Sequence, residues 1–207
     1  MKYQHIVFDV DGTLVDTQYA VIHSLQDTLL ELFGWHMTEQ ELTFSLGITG
    51  DEVLRRLKIR DMEGTMKRWL EILKPYQSTN HLFEGIPELL QTLKAAGCTL
   101  GVVTSRVHKL YDEEMPRMGI SHMMDHVVCA DDTTEHKPTG APLRKYMEWT
   151  GASPEQVLYI GDSVYDMQCA ADAGTDFLLA GWGAVPELRD RAPYAMEPRE
   201  VLKTVGL

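Results

Sequence analysis

Residue types that can do chemistry stand at or just after the ends of four apolar segments in this sequence of 207 residues. In chain order they are Asp9, Asp11, Thr104, Ser105, Lys137, Asp162 and Asp166. If the segments are strands of an open parallel sheet, these side chains meet at one edge, because ligands bind outside the carboxyl ends of such strands. Two acidic pairs, a hydroxyl and a lysine at one edge are suited to phosphoryl transfer.

The acidic residues predict a cation and a nucleophile. A carboxylate on an apolar strand is costly to bury unless a cation or hydrogen bonds compensate for it. Several carboxylates at one place repel each other, so their convergence indicates a hard cation with oxygen ligands, for which magnesium fits best. A carboxylate can also attack phosphorus and form an acyl phosphate. Asp9 is the predicted nucleophile, and Asp11 is the predicted general acid and base.

The lysine and the hydroxyl residues complete this set. Lys137 is expected to offset the charge of the nucleophile and the phosphate, although it can also be read as a surface lysine. Thr104 is expected to hold the phosphoryl oxygens together with backbone N–H groups of the turns. Ser105 is included for its backbone N–H alone.

Structural roles stay open as alternatives. Asp9 and Asp11 belong to the residue type that often caps helices, and Asp162 can cap a helix and bind a metal at once. Asp166 can be a solvated residue in the first turn of a helix. Thr104 can be an ordinary turn residue at the end of a strand.

The apolar segments predict the elements that position these residues. Predicted strands cover residues 5–10, 99–105, 126–130, 157–163 and 175–180. They are almost continuously apolar, which is typical of strands buried on both faces. Helical stretches with apolar periodicity lie between them. This alternation predicts an α/β fold with a Rossmann-like, doubly wound parallel sheet.

One stretch after the first strand interrupts this alternation. It has helical periodicity and is too long for a simple crossover. Its two apolar stripes are Val21, Leu25, Leu29 and Leu32, and Met66, Trp69, Leu70 and Leu73. We therefore predict a small inserted α-helical cap domain at residues 15–81, with an α/β core domain made of residues 1–14 and 82–207.

The net charge of −12 argues against a nucleic-acid or anionic-membrane partner. A phosphate must then be held by local groups, namely a cation, a lysine and backbone N–H groups. No apolar run reaches the roughly 18 residues that cross a bilayer, and the N-terminus lacks the pattern of a secretory signal. A cytoplasmic protein is the expectation, and a monomer and a homodimer are both left open.

Four runs of sequence together resemble a known family. They are FDVDGTLVDT, VVTSR, HKPTGAPL and GDSVYDM, in this order. They resemble the four ordered motifs of the haloacid dehalogenase superfamily of phosphohydrolases, and the similarity runs from Phe8 to Gly183. Within that superfamily the chain is most similar to the phosphoglycolate phosphatase-like branch, which has an inserted helical cap.

The resemblance assigns roles to the reactive residues. It implies Asp9 as the nucleophile and Asp11 as the general acid and base. It implies Thr104 as the phosphate-binding hydroxyl and Lys137 as the charge-balancing lysine. The family usually has a second proline soon after this lysine, where the present chain has Gly140, which weakens the local motif.

The resemblance also implies a magnesium site. The Asp9 side chain, the Asp11 backbone carbonyl and Asp162 are the implied ligands. Asp166 is expected to support the lysine or the metal-bound waters, and Gly12 is expected to allow the tight turn after the nucleophile.

A loop of the predicted cap is a candidate for substrate contact. A glycine stands on each side of Ile48 and Thr49, as in a loop that reaches into a site. Gly47, Ile48 and Thr49 are predicted to face the leaving group, and an ordinary loop between two helices is an equal alternative. A cap of this kind would close over the site and exclude water.

These observations predict a magnesium-dependent phosphatase that acts on a small phosphorylated metabolite through a phospho-aspartate at Asp9. Phosphoglycolate is the leading substrate, with pyrophosphate or a sugar phosphate as the alternatives. A mutase is disfavoured, because beta-phosphoglucomutase has a histidine and a cap-loop arginine where this chain has Val21 and Gly50. A catalytically quiet protein that binds phosphate-bearing ligands is the alternative from another functional class.

Overall fold

The computed structural model describes residues 2–207, which form a six-stranded parallel sheet and a separate two-stranded antiparallel ribbon. The strands are β1 (His5–Phe8), β2 (Val15–Asp16), β3 (His81–Leu82), β4 (Thr99–Val103), β5 (His126–Val128), β6 (Val157–Gly161), β7 (Asp176–Ala180) and β8 (Tyr194–Ala195). The order in the large sheet is β5-β4-β1-β6-β7-β8. The central strand β1 therefore has β4 on one side and β6 on the other.

All five predicted strands are present, and four of them end before their predicted carboxyl ends. Asp9, Thr104 and Asp162 therefore lie immediately after β1, β4 and β6 rather than inside them. The neighbouring positions of these three strands bring the three loops to one edge of the sheet. The short β8 was not predicted, because two residues form no recognisable apolar run.

Helices cover both faces of the sheet. The helices are α1 (Gln18–Phe33), α2 (Glu39–Leu42), α3 (Gly50–Arg56), α4 (Met62–Tyr76), α5 (Ile86–Ala95), α6 (His108–Glu114), α7 (Ala141–Thr150), α8 (Val164–Ala173) and α9 (Val201–Val205). One apolar core contains residues of α5, α6 and α9, and a second contains residues of α7 and α8. Two cores on opposite faces of a parallel sheet confirm the predicted doubly wound α/β fold.

The helices between β2 and β3 pack around an apolar core of their own. Leu25, Leu29 and Trp69 are buried there, whereas Leu32 is 41% exposed, so its predicted place on the buried stripe was wrong. The burial of α1 ends at Leu29, and Leu32 lies in the last turn of the helix, beyond the last buried residue. The predicted cap boundaries at residues 15 and 81 fall on the β2–β3 ribbon and stay a prediction.

Within residues 2–207, none of the helices has the length and apolar character needed to span a membrane.

Candidate active site

Three buried side chains form a group that we call the lysine cluster: Asp9, Lys137 and Asp166. Lys137 Nζ lies 2.7 Å from Asp9 Oδ1 and 2.7 Å from Asp166 Oδ1. The side chain of Lys137 is 1% exposed, that of Asp9 is 3% exposed and that of Asp166 is 0% exposed. A lysine that bridges two carboxylates in this way fixes the position of Asp9 at the end of the central strand.

Asp166 is held by the start of α8 as well as by the lysine. Ser163 and Asp166 form a capping box, in which the Ser163 backbone N–H and hydroxyl donate to Asp166 Oδ2 at 3.0 and 2.6 Å. The Tyr159 hydroxyl lies 2.8 Å from Asp166 Oδ1. With these partners and Lys137 on its two oxygens, the Asp166 carboxylate is arranged to support the lysine.

Burial and the neighbouring charges shift the pKa values of Asp9 and Lys137 in the lysine cluster. Burial raises the pKa of Asp9 to about 7, and the carboxylates of Asp166 and Asp11 add to this rise while Lys137 opposes it. Burial would lower the pKa of Lys137, but the charges of Asp166 and Asp9 outweigh burial and raise that pKa. The lysine therefore stays charged, and a further cation beside Asp9 would favour its ionised form.

Asp162 brings a further carboxylate to this edge. Oxygen atoms of Asp9, Asp162 and Asp166 lie within 4.8 Å of one another, and all three residues are buried. Thr13 donates its hydroxyl to Asp162 Oδ1 at 3.0 Å. Burial, with Asp166 and Asp9 nearby, raises the pKa of Asp162 well above its usual range. Within residues 2–207, Asp162 forms no ion pair, and a buried carboxylate of this kind fits the donor set of a hard divalent cation such as Mg²⁺.

The turn after Asp11 requires glycine. Gly12 has a φ of +80°, a conformation that side-chain-bearing residues rarely adopt. A Cβ atom at this position would lie 2.3 Å from Asp162 Oδ2. The backbone of the loop after β1 thus passes directly against Asp162, in a tight turn of the kind that the resemblance implied for Gly12.

A second charged group, which we call the arginine cluster, consists of Asp11, Arg106 and Glu114. Arg106 donates from Nε and Nη2 to the two Asp11 oxygens at 2.8 and 2.7 Å, and from Nη1 to Glu114 Oε2 at 2.6 Å. Thr17 donates its hydroxyl to Asp11 Oδ1 at 2.7 Å. Burial would raise the pKa of Asp11, but Arg106 and the Thr17 hydroxyl hold that pKa below its usual value. The predicted acid is therefore tied to an arginine in this structure.

The hydroxyl residues after β4 occupy different positions. Thr104 is buried, and its hydroxyl accepts a hydrogen bond from the Arg106 backbone N–H at 3.2 Å. The Ser105 hydroxyl donates to the Gly47 carbonyl at 3.2 Å. This second bond joins the strand end to the loop that was singled out as a candidate for substrate contact.

A cavity of about 510 Å³ opens beside the two clusters. Asp9, Asp11, Ser105 and Arg106 contribute to its wall, and so do Gly47, Ile48 and Thr49 of the candidate loop. Further apolar wall residues include Val21, Leu46, Met66, Trp69, Leu70, Leu73, Val107 and Leu110. All four residues of the predicted apolar stripe on α4 therefore line this cavity, and Met66 and Trp69 also contact the helical core.

Some residues of the site were missed by reading the sequence. Arg106 is the most important, since it pairs with Asp11 across 95 positions of sequence. A basic residue directly after a strand-end Thr-Ser, in a chain with a net charge of −12, was a usable signal. Thr13, Thr17 and Tyr159 also support site carboxylates, but hydroxyl residues in loops and strands are too common to be recognised in this way.

Comparison with known proteins gives a consistent result. A model of the haloacid dehalogenase-like hydrolase family matches residues 6–180. A phosphoglycolate phosphatase from Aquifex aeolicus is 32% identical, over 87% of this chain and 85% of the relative. A protein from Clostridium perfringens, provisionally named pyrophosphatase PpaX, is 30% identical, over 97% of this chain and 96% of the relative.

A solved structure agrees with these relatives. The crystal structure of a protein from Lactobacillus plantarum, provisionally named a phosphoglycolate phosphatase, has a TM-score of 0.90 and 28% identity. The match covers 98% of this chain and 99% of that protein. The fold, the family match and these relatives together show that the chain belongs to the haloacid dehalogenase-like hydrolase family, as one of its phosphatases.

Proposed function

We propose that the protein is a magnesium-dependent phosphatase of small phosphorylated metabolites, which works through a phospho-aspartate at Asp9. The observation that carries this proposal is the bridging of Asp9 and Asp166 by Lys137 Nζ at 2.7 Å, beside the buried carboxylate of Asp162. This arrangement fixes one carboxylate at the cavity wall while its neighbours compensate for its charge.

The first step transfers the phosphoryl group to Asp9. The Asp9 oxygen that is not bonded to Lys137 attacks phosphorus, and the bond between phosphorus and the leaving oxygen breaks. Lys137 holds the Asp9 carboxylate in place and offsets the negative charge that gathers there. Asp11 gives a proton to the leaving oxygen, after it has moved away from the Arg106 guanidinium that holds it in the described conformation.

The second step hydrolyses the acyl phosphate. Asp11, now ionised, accepts a proton from a water molecule that attacks phosphorus, and Asp9 leaves as a carboxylate. Backbone N–H groups of the loops after β1 and β4 hold the phosphoryl oxygens, with the Thr104 hydroxyl beside them. The loop at Gly47, Ile48 and Thr49, which also lines the cavity, would limit the access of bulk water to the acyl phosphate.

Mg²⁺ would be held by Asp9, Asp162 and the backbone carbonyl of Asp11, and when bound it would neutralise charge on the phosphoryl group. Asp166 would act on Lys137 rather than as a direct ligand, because its two oxygens already accept hydrogen bonds from the lysine, Tyr159 and Ser163. The raised pKa values of Asp9 and Asp162 support a cation at this place.

Phosphoglycolate is the leading substrate of this proposal, and pyrophosphate is the second candidate. The support comes from the two relatives, one named a phosphoglycolate phosphatase and one provisionally named a pyrophosphatase. At about 510 Å³, the cavity has room for either molecule. Both candidates carry a second anionic group next to the phosphoryl group that is transferred.

The test is phosphate release from a panel that contains phosphoglycolate, pyrophosphate, sugar phosphates and nucleotides, with Mg²⁺ and with a chelator. We expect Mg²⁺-dependent release by the wild type and a loss of at least about 10³-fold for Asp9→Asn. Asp172→Asn is the matched control, because Asp172 is exposed and pairs with Arg144 away from the cavity. Hydrolysis that survives Asp9→Asn would refute the assignment of the nucleophile.

A further inference from the structure

Arg106 stands out among the residues around the cavity. It is the single lysine or arginine among the residues, within 2–207, that line the cavity wall. The same wall carries the carboxylates Asp9, Asp11, Asp51, Glu114 and Asp131. A substrate with two anionic groups therefore meets mostly negative and apolar surroundings once its phosphoryl group has reached Asp9.

The guanidinium of Arg106 is fixed from two sides. Asp11 takes Nε and Nη2 in a bidentate pair, and Glu114 takes Nη1. The Glu114 side chain is 7% exposed, and its other oxygen accepts a hydrogen bond from Asn80 Nδ2 at 2.5 Å. An arginine locked in this way loses little conformational freedom when it binds a further anion.

Two donors of Arg106 stay available for such an anion. A guanidinium has five N–H groups, of which three are used by Asp11 and Glu114. One N–H on Nη1 and one on Nη2 have no hydrogen-bond acceptor among residues 2–207. The Arg106 side chain is 10% exposed and lines the cavity, so an anion in the cavity can reach these donors.

We infer that Arg106 is the specificity-determining residue of this site and binds a second anionic group of the substrate, a carboxylate or a second phosphoryl group. This inference rests on the proposed function. It names the substrate class as phosphate compounds with a second anion close to the transferred phosphoryl group. Phosphate esters of neutral alcohols reach Asp9 equally well but gain nothing from Arg106.

The position of Arg106 in the chain fits this role. It is two residues after Thr104, whose hydroxyl accepts the Arg106 backbone N–H. The same loop therefore presents the predicted phosphate-binding hydroxyl and the proposed contact for the second anion. Because Asp11 starts from the guanidinium that binds the second anion, it is next to the leaving group when it moves away from Arg106 to act as the acid.

The test compares substrates that differ in the second anion. Phosphoglycolate and pyrophosphate carry it as a carboxylate and as a phosphoryl group, hydroxyethyl phosphate replaces it by a hydroxyl, and phenyl phosphate replaces it by an apolar ring. The variants are Arg106→Lys, which keeps a positive charge between Asp11 and Glu114 but loses the fork, and Arg144→Lys, an exposed arginine that pairs with Asp172.

For the wild type we expect a kcat/KM at least about tenfold higher for phosphoglycolate or pyrophosphate than for hydroxyethyl phosphate. Arg106→Lys should remove most of this preference, mainly by raising KM for the substrate with the second anion. Because Arg106 also pairs with Asp11, the same variant lowers kcat for every substrate to the same extent, so the quantity that decides is the ratio of kcat/KM between phosphoglycolate or pyrophosphate and hydroxyethyl phosphate. A loss confined to phosphoglycolate would identify the second anion as a carboxylate, and a loss confined to pyrophosphate would identify it as a phosphoryl group. Arg144→Lys should leave the preference unchanged.

Three results would overturn the inference. One is a preference for phosphoglycolate or pyrophosphate that Arg106→Lys leaves intact. Another is a loss of the same size for all four substrates, with no additional loss for phosphoglycolate or pyrophosphate, which would make Arg106 a support of Asp11 alone. The third is a wild-type preference for phenyl phosphate, which would assign the cavity to apolar leaving groups.

A binding measurement separates this inference from the proposed function. Glycolate alone carries the second anion and has no phosphoryl group, so its binding depends on Arg106 and not on Asp9. By calorimetry we expect glycolate to bind wild type and Asp9→Asn equally and to bind Arg106→Lys at least about tenfold more weakly. Glycolate binding that is equal in wild type and Arg106→Lys would contradict the inference, even in a protein that hydrolyses phosphate esters.

Discussion

The lysine cluster and the arginine cluster have the same composition, a cation between two carboxylates, but different surroundings. Lys137 is 1% exposed, and both of its partners are almost completely buried. Arg106 is 10% exposed, and its partner Asp11 is 24% exposed at the wall of the cavity. The lysine cluster fixes the position of the Asp9 carboxylate. In the arginine cluster, the Arg106 N–H groups and the Asp11 carboxylate lie at the cavity and can exchange partners.

The difference also appears in the pKa values of the two aspartates. Burial raises the pKa of Asp9 although a lysine lies beside it, while Arg106 and Thr17 lower the pKa of Asp11 despite burial. The pKa values of two aspartates that are separated by one residue thus shift in opposite directions, because their surroundings differ. In the described conformation these directions are opposite to the proposed roles, because a nucleophile must be ionised and an acid must be protonated. A cation beside Asp9 and the release of Asp11 from Arg106 would each reverse one of the two shifts.

The largest expected effect is on the free energy of unfolding, and it differs between Lys137 and Arg106 variants. Lys137→Met leaves two buried carboxylates without a charged partner and should lower the free energy of unfolding by about 3–5 kcal/mol. Arg106→Met should cost less, because water reaches Asp11 more easily than Asp9. Urea denaturation at neutral pH measures both values, and an equal or larger cost for Arg106→Met would contradict the distinction between the clusters.

The loop that joins the clusters provides the next test. Gly12→Ala places a Cβ atom 2.3 Å from Asp162 Oδ2 at a φ of +80°, and should lower kcat by about 10²-fold through displacement of Asp11 and Asp162. Gly34→Ala is the matched control, because Gly34 has a φ of +68° with nothing within 4 Å of an added Cβ. Both variants should lose about 1 kcal/mol of stability from backbone strain. Equal kinetics for the two variants would show that the contact with Asp162 is unimportant.

The cation beside the lysine cluster can be tested through stability. Because the pKa of Asp162 is raised in the folded protein, its ionised form at neutral pH lowers stability, and this cost is absent below the ordinary aspartate pKa of about 3.9. Asp162→Asn should therefore raise Tm in a chelator by about 2–4 °C. Mg²⁺ should raise the Tm of the wild type and not that of Asp162→Asn. A variant that is less stable in the chelator, or that keeps the full response to Mg²⁺, would argue against Asp162 as a ligand.

The smallest expected effects come from the hydroxyls that support the two clusters. Tyr159→Phe removes the hydroxyl beside Asp166, and Thr17→Val removes the donor to Asp11. Each should cost about 1 kcal/mol of stability. Tyr159→Phe should lower kcat by less than about tenfold, since Lys137 still holds Asp9 and Asp166. Steady-state kinetics at saturating Mg²⁺ would contradict this view if Tyr159→Phe were as inactive as Asp9→Asn.

The sequence was sufficient for the fold because its signals are local. Almost continuous apolar segments separated by amphipathic helices indicate a parallel sheet, and strands β1, β4, β5, β6 and β7 all followed from this pattern. The stripe on α1 was wrong at Leu32, because apolar periodicity does not show how far along a helix the burial extends. The two residues of β8 carry no periodicity at all.

The site could be predicted in part for a related reason. Residue type and position at a strand end were enough to single out Asp9, Lys137, Asp162 and Asp166, which the structure brings together. Their chemical roles stay predictions. The pairing of Arg106 with Asp11 and Glu114 depends on the direction of side chains from different loops, and such a direction has no signature in a single sequence.

The central claim is that Asp9 carries the phosphoryl group during turnover. The most direct measurement uses p-nitrophenyl phosphate, whose leaving group departs as an anion and needs no acid, with the Asp11→Asn variant, which lacks the base for the second step. After an acid quench, mass spectrometry should find the phosphoryl group on Asp9 of this variant and not on Asp9→Asn. Nitrophenol release without phosphorylation of Asp9, or with phosphorylation of another residue, would contradict the account.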